Sequence, residues 1–300
     1  MSNEIVLTKI DKYQNSFIKE KKSLNCSINT INTYKYILNS FYEYITELND
    51  IRELQDISKE IILSFLDKDE KISSSTKTLR LRVIKSYFKH IDENESLNSI
   101  FEIRFKKLSI KQEHKEVEAL SSNEVKKLLT MFDKRSTSFN KNRDALLIKL
   151  ILFTGIRASE ALDIVLDDML EIEVDSIILY KIKISGKGSK ERFAYITKDK
   201  IDTELEFLIS KNYITNYIAV TNKYKRMSRV GLYSVISTKM KKAGINKRGI
   251  HILRHTFARD LVSKNINLQT ISQLLGHASI TLTAKTYARS DEGSMVRAVC

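Results

Sequence analysis

The sequence predicts a mainly α protein with a small β-sheet, divided into an N-terminal helical domain and a C-terminal α+β domain. Three observations predict this. The chain has no proline, and all eight glycines lie at or after Gly155, so its first half is almost without chain-breakers and favours helices. A polar, weakly periodic stretch containing Lys106, Lys107, Lys111, Gln112, Glu113, His114, Lys115 and Glu116 then interrupts the pattern. Beyond it, one segment has a strand–turn–strand signature among further helical stretches.

Taken in order, short helices are expected near residues 4–22 and 58–68. Ile31, Tyr34, Leu38, Phe41, Ile45 and Leu48 recur at alternating three- and four-residue steps, which is one helical stripe. Leu79, Val83, Tyr87 and Ile91 form another. These make a helical domain over residues 1–110, followed by a linker over 111–119 and a second domain over 120–300. Ser121 opens that domain as a helix cap, with Glu124 three residues on as its capping-box partner. Helices fit residues 122–133 and 141–154, and another begins at Ala158. Ser176 to Ile184 is β-branched and aromatic, Gly186-Lys187-Gly188 is a turn, and Arg192 to Ile196 returns as a strand. From Leu205 the pattern is helical again, with Gly276 as the stop of a helix over Leu268 to Leu275. No internal repeat or low-complexity tract stands out.

The 300 residues, 42% hydrophobic and 29% charged, suffice for two globular domains with a core each. No stretch approaches the ~18 uninterrupted apolar residues of a membrane span, so no membrane partner is expected. Met1-Ser2-Asn3-Glu4 lacks the basic start and apolar run of a secretion leader. Two cysteines, Cys26 and Cys300, make no disulfide framework and fit a reducing cytoplasm. The net charge of +14 favours an acidic partner, and its distribution points to nucleic acid. Between Phe207 and Arg259 there is no Asp or Glu, and a second acid-free stretch runs from Lys71 to Ile91. A merely solvated face mixes signs, whereas one-signed stretches follow phosphates. Lys77, Arg80, Arg82 and Lys85 in the first domain are candidate contacts, as are Lys225, Arg226, Arg229, Lys241, Lys242 and Arg248 in the second.

The candidate chemistry lies in four strings and one residue. Arg157 sits in Thr154-Gly155-Ile156-Arg157-Ala158-Ser159-Glu160, at a helix break where backbone can approach a ligand, with Glu160 one turn on to orient the guanidinium. Alone, it reads more readily as a salt-bridged arginine at a helix start. Lys187 lies in Gly186-Lys187-Gly188-Ser189-Lys190, where the spacing of a nucleotidase phosphate loop is missing. A lysine at a hairpin tip could enter a minor groove and deliver a proton, with Lys190 its nearest rival. His251 and Arg254, in His251-Ile252-Leu253-Arg254-His255, share a helical face. His255 is four residues from His251, but a metalloprotease helix needs glutamate where Ile252 stands and no third ligand is suitably spaced. No metal or other cofactor is expected, and His255 reads as a structural histidine outside the site. His277 follows Gly276, and Tyr287, ten residues later, is the only tyrosine after Tyr233. In isolation each has a plain reading, as a cap partner and as a half-buried surface tyrosine.

In order and spacing together, these strings resemble the tyrosine recombinases of the integrase and Xer group, motif by motif from about residue 120 to 290. Residues 1–110 match only as a helical domain of the right size. The resemblance implies a SAM-like, core-binding N-terminal domain and a catalytic C-terminal domain that clamp duplex DNA. It implies that Tyr287 attacks the scissile phosphate and leaves a 3′-phosphotyrosyl bond. Arg157 and Arg254 would hold the non-bridging oxygens, His251 would assist deprotonation of the phenol, and His277 would hydrogen-bond the phosphoryl group. Lys187 would protonate the departing 5′ oxygen, and Glu160 would support Arg157 from behind. The assembly implied is a homo-tetramer on two DNA sites, a homodimer on each, with an accessory protein left open, acting in the cytoplasm at the nucleoid. Xer-type dimer resolution and element integration or excision both fit.

Two departures stand out. The family places its tyrosine nine residues after the Leu-Gly-His histidine, and here the gap is ten, so the Ala278–Thr283 turn must absorb an extra residue. Only thirteen residues follow Tyr287, so Ser294 to Cys300 could give barely two turns of the C-terminal helix that members dock on the next subunit. A misplaced tyrosine would favour a catalytically idle DNA-binding protein of the same fold. A type IB topoisomerase, which shares the chemistry but relaxes DNA as a monomer, is the other alternative.

Overall fold

Serine hydroxyls start three helices in the first hundred residues. Ser27, Ser58 and Ser73 each accept a backbone N–H three residues on, from Thr30, Ile61 and Thr76, which satisfies one of the orphan donors of a helix start. The computed structural model describes residues 2–287 apart from 49, 70, 112–116, 134–135, 186–190, 214–215 and 278. The chain separates into two units, Met1–Lys115 and Glu116–Cys300.

The first unit holds α1 (Ser2–Ser23), α2 (Ile28–Thr46), α3 (Lys59–Asp67), α4 (Ser74–Glu95) and α5 (Ile100–Phe105). Its core is aromatic. Phe88 on α4 lies 5.8 Å from Phe41, 4.7 Å from Phe101 and 5.4 Å from Phe105, ring centre to ring centre. Such tilted and edge-on contacts add to the burial of large apolar rings. The α2 stripe packs as its spacing predicts, with Ile31, Leu38, Phe41 and Ile45 buried. The α4 stripe begins one turn later than expected. Leu79 is exposed, and Arg80 is buried in its stead, over the Phe65 ring and 2.9 Å from Asp69. The carboxylate just past α3 draws the guanidinium inward, and its stem fills apolar space. Ser99 precedes α5 in a left-handed conformation and does not cap it, so the buried Asp92 accepts the N–H groups of Phe101 and Glu102.

The second unit is built round α7 (Phe139–Thr154), whose Ala145, Leu146, Leu147, Ile148, Leu150, Ile151 and Leu152 are all buried. A helix apolar on every side is a central one. Around it lie α6 (Ser122–Thr130), α8 (Ala158–Asp163), α9 (Asp202–Ser210), α10 (Arg229–Lys242), α11 (Ile250–Ser263), α12 (Leu268–Leu275) and α13 (Ile280–Tyr287). The capping box of α6 forms as its sequence predicts, Ser121 accepting from Glu124 N–H and Glu124 from Ser121 N–H.

The predicted hairpin is present as β2 (Ile177–Ser185) and β3 (Glu191–Thr197), antiparallel with Ile182 opposite Ala194. A strand not anticipated, β1 (Met169–Val174), pairs with the outer edge of β2, Met169 opposite Ile182. One further expectation is corrected. The described residues of 211–228 are not helical: Asn212 and Tyr224 take left-handed backbone, and Ile218, Ala219 and Val220 are buried between short bridges from Tyr217 to Val165 and from Val220 to Arg226. Ala119, read as linker, is buried in the second unit, its carbonyl accepting from Lys247.

Candidate active site

The C-terminal end of α12 organises the site. Its last residues turn through Gly276, left-handed at φ 65°, and their carbonyls accept from two arginines distant in sequence. Arg254 on α11 donates to Leu275 O at 2.8 Å and to Gly155 O at 2.7 Å. Arg157, at the start of α8, donates to Gly276 O at 2.7 Å. The free carbonyls of a helix C-terminus carry partial negative charge and suit cations. A carbonyl neutralises nothing, so Arg254, bonded only to carbonyls, keeps its charge without a direct ion pair.

Glu160 is the one carboxylate hydrogen-bonded in this cluster among the described residues. It is buried, accepts Arg157 N–H at 2.6 Å, and pairs with Arg157 Nη1 at 2.8 Å. Arg192 Nη2, from β3, meets the same carboxylate at 2.7 Å. Arg192 was not anticipated from the sequence. Its Nη1 is buried with no partner among the described residues, and its Nε crowds the place where a Cβ on Gly276 would sit. Two guanidiniums, Arg157 and Arg192, therefore share the one carboxylate, and the nearby Arg254 bonds only carbonyls. Burial and the neighbouring Arg157 lower Arg254 to about 10, and burial likewise lowers Arg192, countered in part by Glu160. An uncompensated positive cluster partly withdrawn from water is an anion site.

His277 follows the same helix end, and its Nδ1 lies 2.7 Å from the buried Thr283 hydroxyl. Burial first, then Arg254, Arg157 and Arg192, lowers it to about 4, so it is neutral at pH 7. His251, on the exposed edge of α11, is lowered by partial desolvation, then by Arg229, Arg254 and Arg157.

Tyr287 ends α13 and is buried against Ala258, Ile271 and Leu275. Burial pushes its phenol up to about 12, with Arg254 pulling the other way. Its hydroxyl lies 2.5 Å from His255 Nδ1. His255, read from the sequence as structural and left out of the site, is the phenol's hydrogen-bond partner. The ten-residue gap after His277 thus returns the tyrosine to a histidine of its own chain. No sequence signal found His255, because its meaning depends on α13 folding back onto α11.

The structure therefore brings together Arg157, Glu160, Arg254, His251, His277 and Tyr287, and adds Arg192 and His255. Lys187, its rival Lys190 and the segment after Tyr287 lie outside the described residues. Among the described residues no group of three or more His, Cys, Asp or Glu is placed to hold a metal ion, and no helix is long and apolar enough to cross a membrane.

Of the proposed phosphate contacts, Lys77 pairs with Asp67, Arg80 with Asp69 and Arg226 with Asp163, while Lys85 donates to the carbonyls of Lys106 and Leu108. Arg82, Lys225, Arg229, Lys241, Lys242 and Arg248 are exposed, with no ion pair among the described residues.

Comparison with known proteins supplies an independent line. The profile described as Phage integrase family matches residues 118–293, and that described as Phage integrase, N-terminal SAM-like domain matches residues 10–93. Tyrosine recombinase XerH of Campylobacter jejuni subsp. jejuni is 33% identical over 92% of this chain and 79% of its own length. Tyrosine recombinase XerH of Helicobacter pylori is 32% identical over 91% of this chain and 80% of its own. The crystal structure of XerH site-specific recombinase bound to palindromic difH substrate, a post-cleavage complex, matches with a TM-score of 0.79 at 30% identity, covering 93% of this chain and 81% of that one.

Proposed function

The chain belongs to the phage integrase family, and from that premise we propose how this tyrosine-type site-specific DNA recombinase works. It cleaves and rejoins duplex DNA, with Tyr287 as the nucleophile. One observation carries this reading: Arg254, anchored only by uncharged carbonyls, and Arg157, held by the Gly276 carbonyl and Glu160, are fixed in advance beside a histidine-bound phenol. Phosphoryl transfer develops charge on the non-bridging oxygens, and donors fixed in advance stabilise it without reorganising. Loss of either arginine's donor is worth ~3 kcal/mol, or about 10²-fold in rate.

In this scheme Arg157 and Arg254 hold the scissile phosphate, and His277 hydrogen-bonds it through the nitrogen not facing Thr283. His251 stands at the solvent edge to exchange protons. Lys187 protonates the 5′ oxygen as it leaves. The 3′-phosphotyrosyl bond conserves the energy of the phosphodiester, so rejoining needs no nucleotide. No metal or cofactor takes part, because the arginines supply the electrostatic stabilisation. Residues 1–110 form the core-binding domain and 120–300 the catalytic domain on duplex DNA. A homo-tetramer joins two sites, each holding a homodimer, and exchanges strands in pairs in the cytoplasm at the nucleoid.

The test is covalent capture. The protein is expressed in cells carrying its source genome, recovered under denaturing conditions without crosslinker, and the attached DNA is sequenced. Enrichment of one sequence by wild type and none by Tyr287→Phe is the expected result. Adduct persisting in Tyr287→Phe, or no adduct with wild type, would overturn the reading.

A further inference from the structure

Among the described residues the Tyr287 hydroxyl has a single hydrogen-bond partner, and it is His255, not His251. The His255 and Tyr287 rings lie 5.8 Å apart, tilted by 53°. His251 lies one helical turn away, its ring 6.5 Å from that of His255, and its side chain has no hydrogen-bond partner among the described residues. The two imidazoles of the His-x-x-Arg-His string thus face different things, one the buried phenol and the other solvent.

We propose that His255 accepts the Tyr287 proton as the phenol attacks, which leaves His251 to the phosphate. The proposal rests on Tyr287 being the nucleophile. A general base must lie within hydrogen-bond reach of the proton it takes, and His255 Nδ1 does. A buried phenol is also a poor nucleophile unless a neighbour receives its proton. The groups facing His255 are His251 and Arg254 on its own helix, His277 after α12 and Tyr287 on α13. Burial and the first three lower the imidazole to about 4, so it is neutral at pH 7, and in the tautomer protonated at Nε2 its Nδ1 lone pair faces the phenol. In the forward step the Tyr287 oxygen bonds to phosphorus, its proton passes to His255 Nδ1, and the bond to the 5′ oxygen breaks. That oxygen takes its proton from a separate acid. On rejoining, His255 returns the proton to the phenol.

The experiment uses the full chain and the duplex recovered by covalent capture, nicked so that the cleaved state is trapped. Single-turnover adduct formation is measured for wild type, His255→Gln, His251→Gln and Tyr287→Phe. His255→Gln is expected to retain DNA binding and to cleave about 10²-fold more slowly. Placing 3-fluorotyrosine, which ionises more readily, at position 287 should restore much of that rate. A sulfur in place of the bridging 5′ oxygen helps the leaving group alone and should not restore it. His251→Gln should gain nothing from the fluorinated phenol. If His255→Gln does not fold, His255→Asn carries the same measurements. Cleavage at or above the wild-type rate would mean that His255 only stores the phenol and would overturn the proposal, as would a loss that 3-fluorotyrosine leaves untouched. Adduct in Tyr287→Phe would instead remove the underlying assignment of the nucleophile.

Discussion

Glu160 stands between Arg157 and Arg192 with one oxygen on each. Its removal acts on two cations at once. Glu160→Gln keeps the shape, but it puts an amide against one guanidinium and leaves like charges without a counter-ion. Where the amide N–H group faces it, the Arg157 guanidinium would keep only its bond to Gly276 O and lose its fixed position. A displacement near 1 Å in a positioning group costs about 10²-fold. Single-turnover cleavage should fall by that order, while DNA retention in a band-shift assay stays within a few-fold. At this scale, residue types legible in the sequence were those with a recognisable spacing: arginine after Thr-Gly-Ile, His-x-x-Arg, and histidine after Leu-Leu-Gly. Arg192 and His255 were not legible. Arg192 sits among ordinary strand residues, and its significance comes from two long-range neighbours, Glu160 and Gly276. His255 acquires its role only from a helix that returns 32 residues later.

The helix ends matter more to the site than the helices themselves. Gly276 is left-handed, and an added Cβ would overlap Arg192 Nε and lie 2.7 Å from its Cδ. Gly276→Ala therefore strains the backbone and displaces Arg192 together. It should lower the melting midpoint and reduce cleavage by more than the stability loss explains, as judged at a temperature where the variant is fully folded. The same region sets a pH dependence. Folded His277 ionises near 4, against 6.5 for the ordinary imidazole, so the unfolded chain binds the proton first. Stability from this group is complete above about 6.5 and is lost as pH falls towards 4. Melting midpoints of wild type should accordingly fall more steeply across that window than those of His277→Gln. Helix stripes, the α6 capping box and the hairpin were legible because each rests on local period or local caps. The β1 strand was not. Its Glu171 and Glu173 face water and its Leu170 and Val174 are exposed, so no buried alternation marks it.

Over the whole molecule, the net charge of +14 announces a polyanionic partner, but not which cations would meet it. The ten candidate cations come from two acid-free stretches, and the structure divides them. Lys77, Arg80 and Arg226 face carboxylates that lie just outside those stretches in sequence or well before them, at Asp67, Asp69 and Asp163. Lys85 closes on backbone carbonyls of its own unit, and its partial burial lowers its pKa. An acid-free run in sequence is therefore not an acid-free surface in space. The six exposed cations outside these pairings should govern salt dependence, because only a cation that releases a counter-ion from DNA contributes to the slope. Replacing Arg229, Lys241 or Arg248 by glutamine should lower the slope of log affinity against log salt by about 1 for each phosphate no longer neutralised. Arg80→Gln should behave differently. It uncovers Asp69 and opens space over Phe65, so it should depress the melting midpoint of the first unit while leaving the salt slope of the folded protein unchanged. Affinity titrations across a salt series, run beside thermal melts, separate the two groups. A reduced slope in Arg80→Gln, or an unchanged one in all three of the others, would show that freedom from ion pairs does not determine which residues touch phosphate.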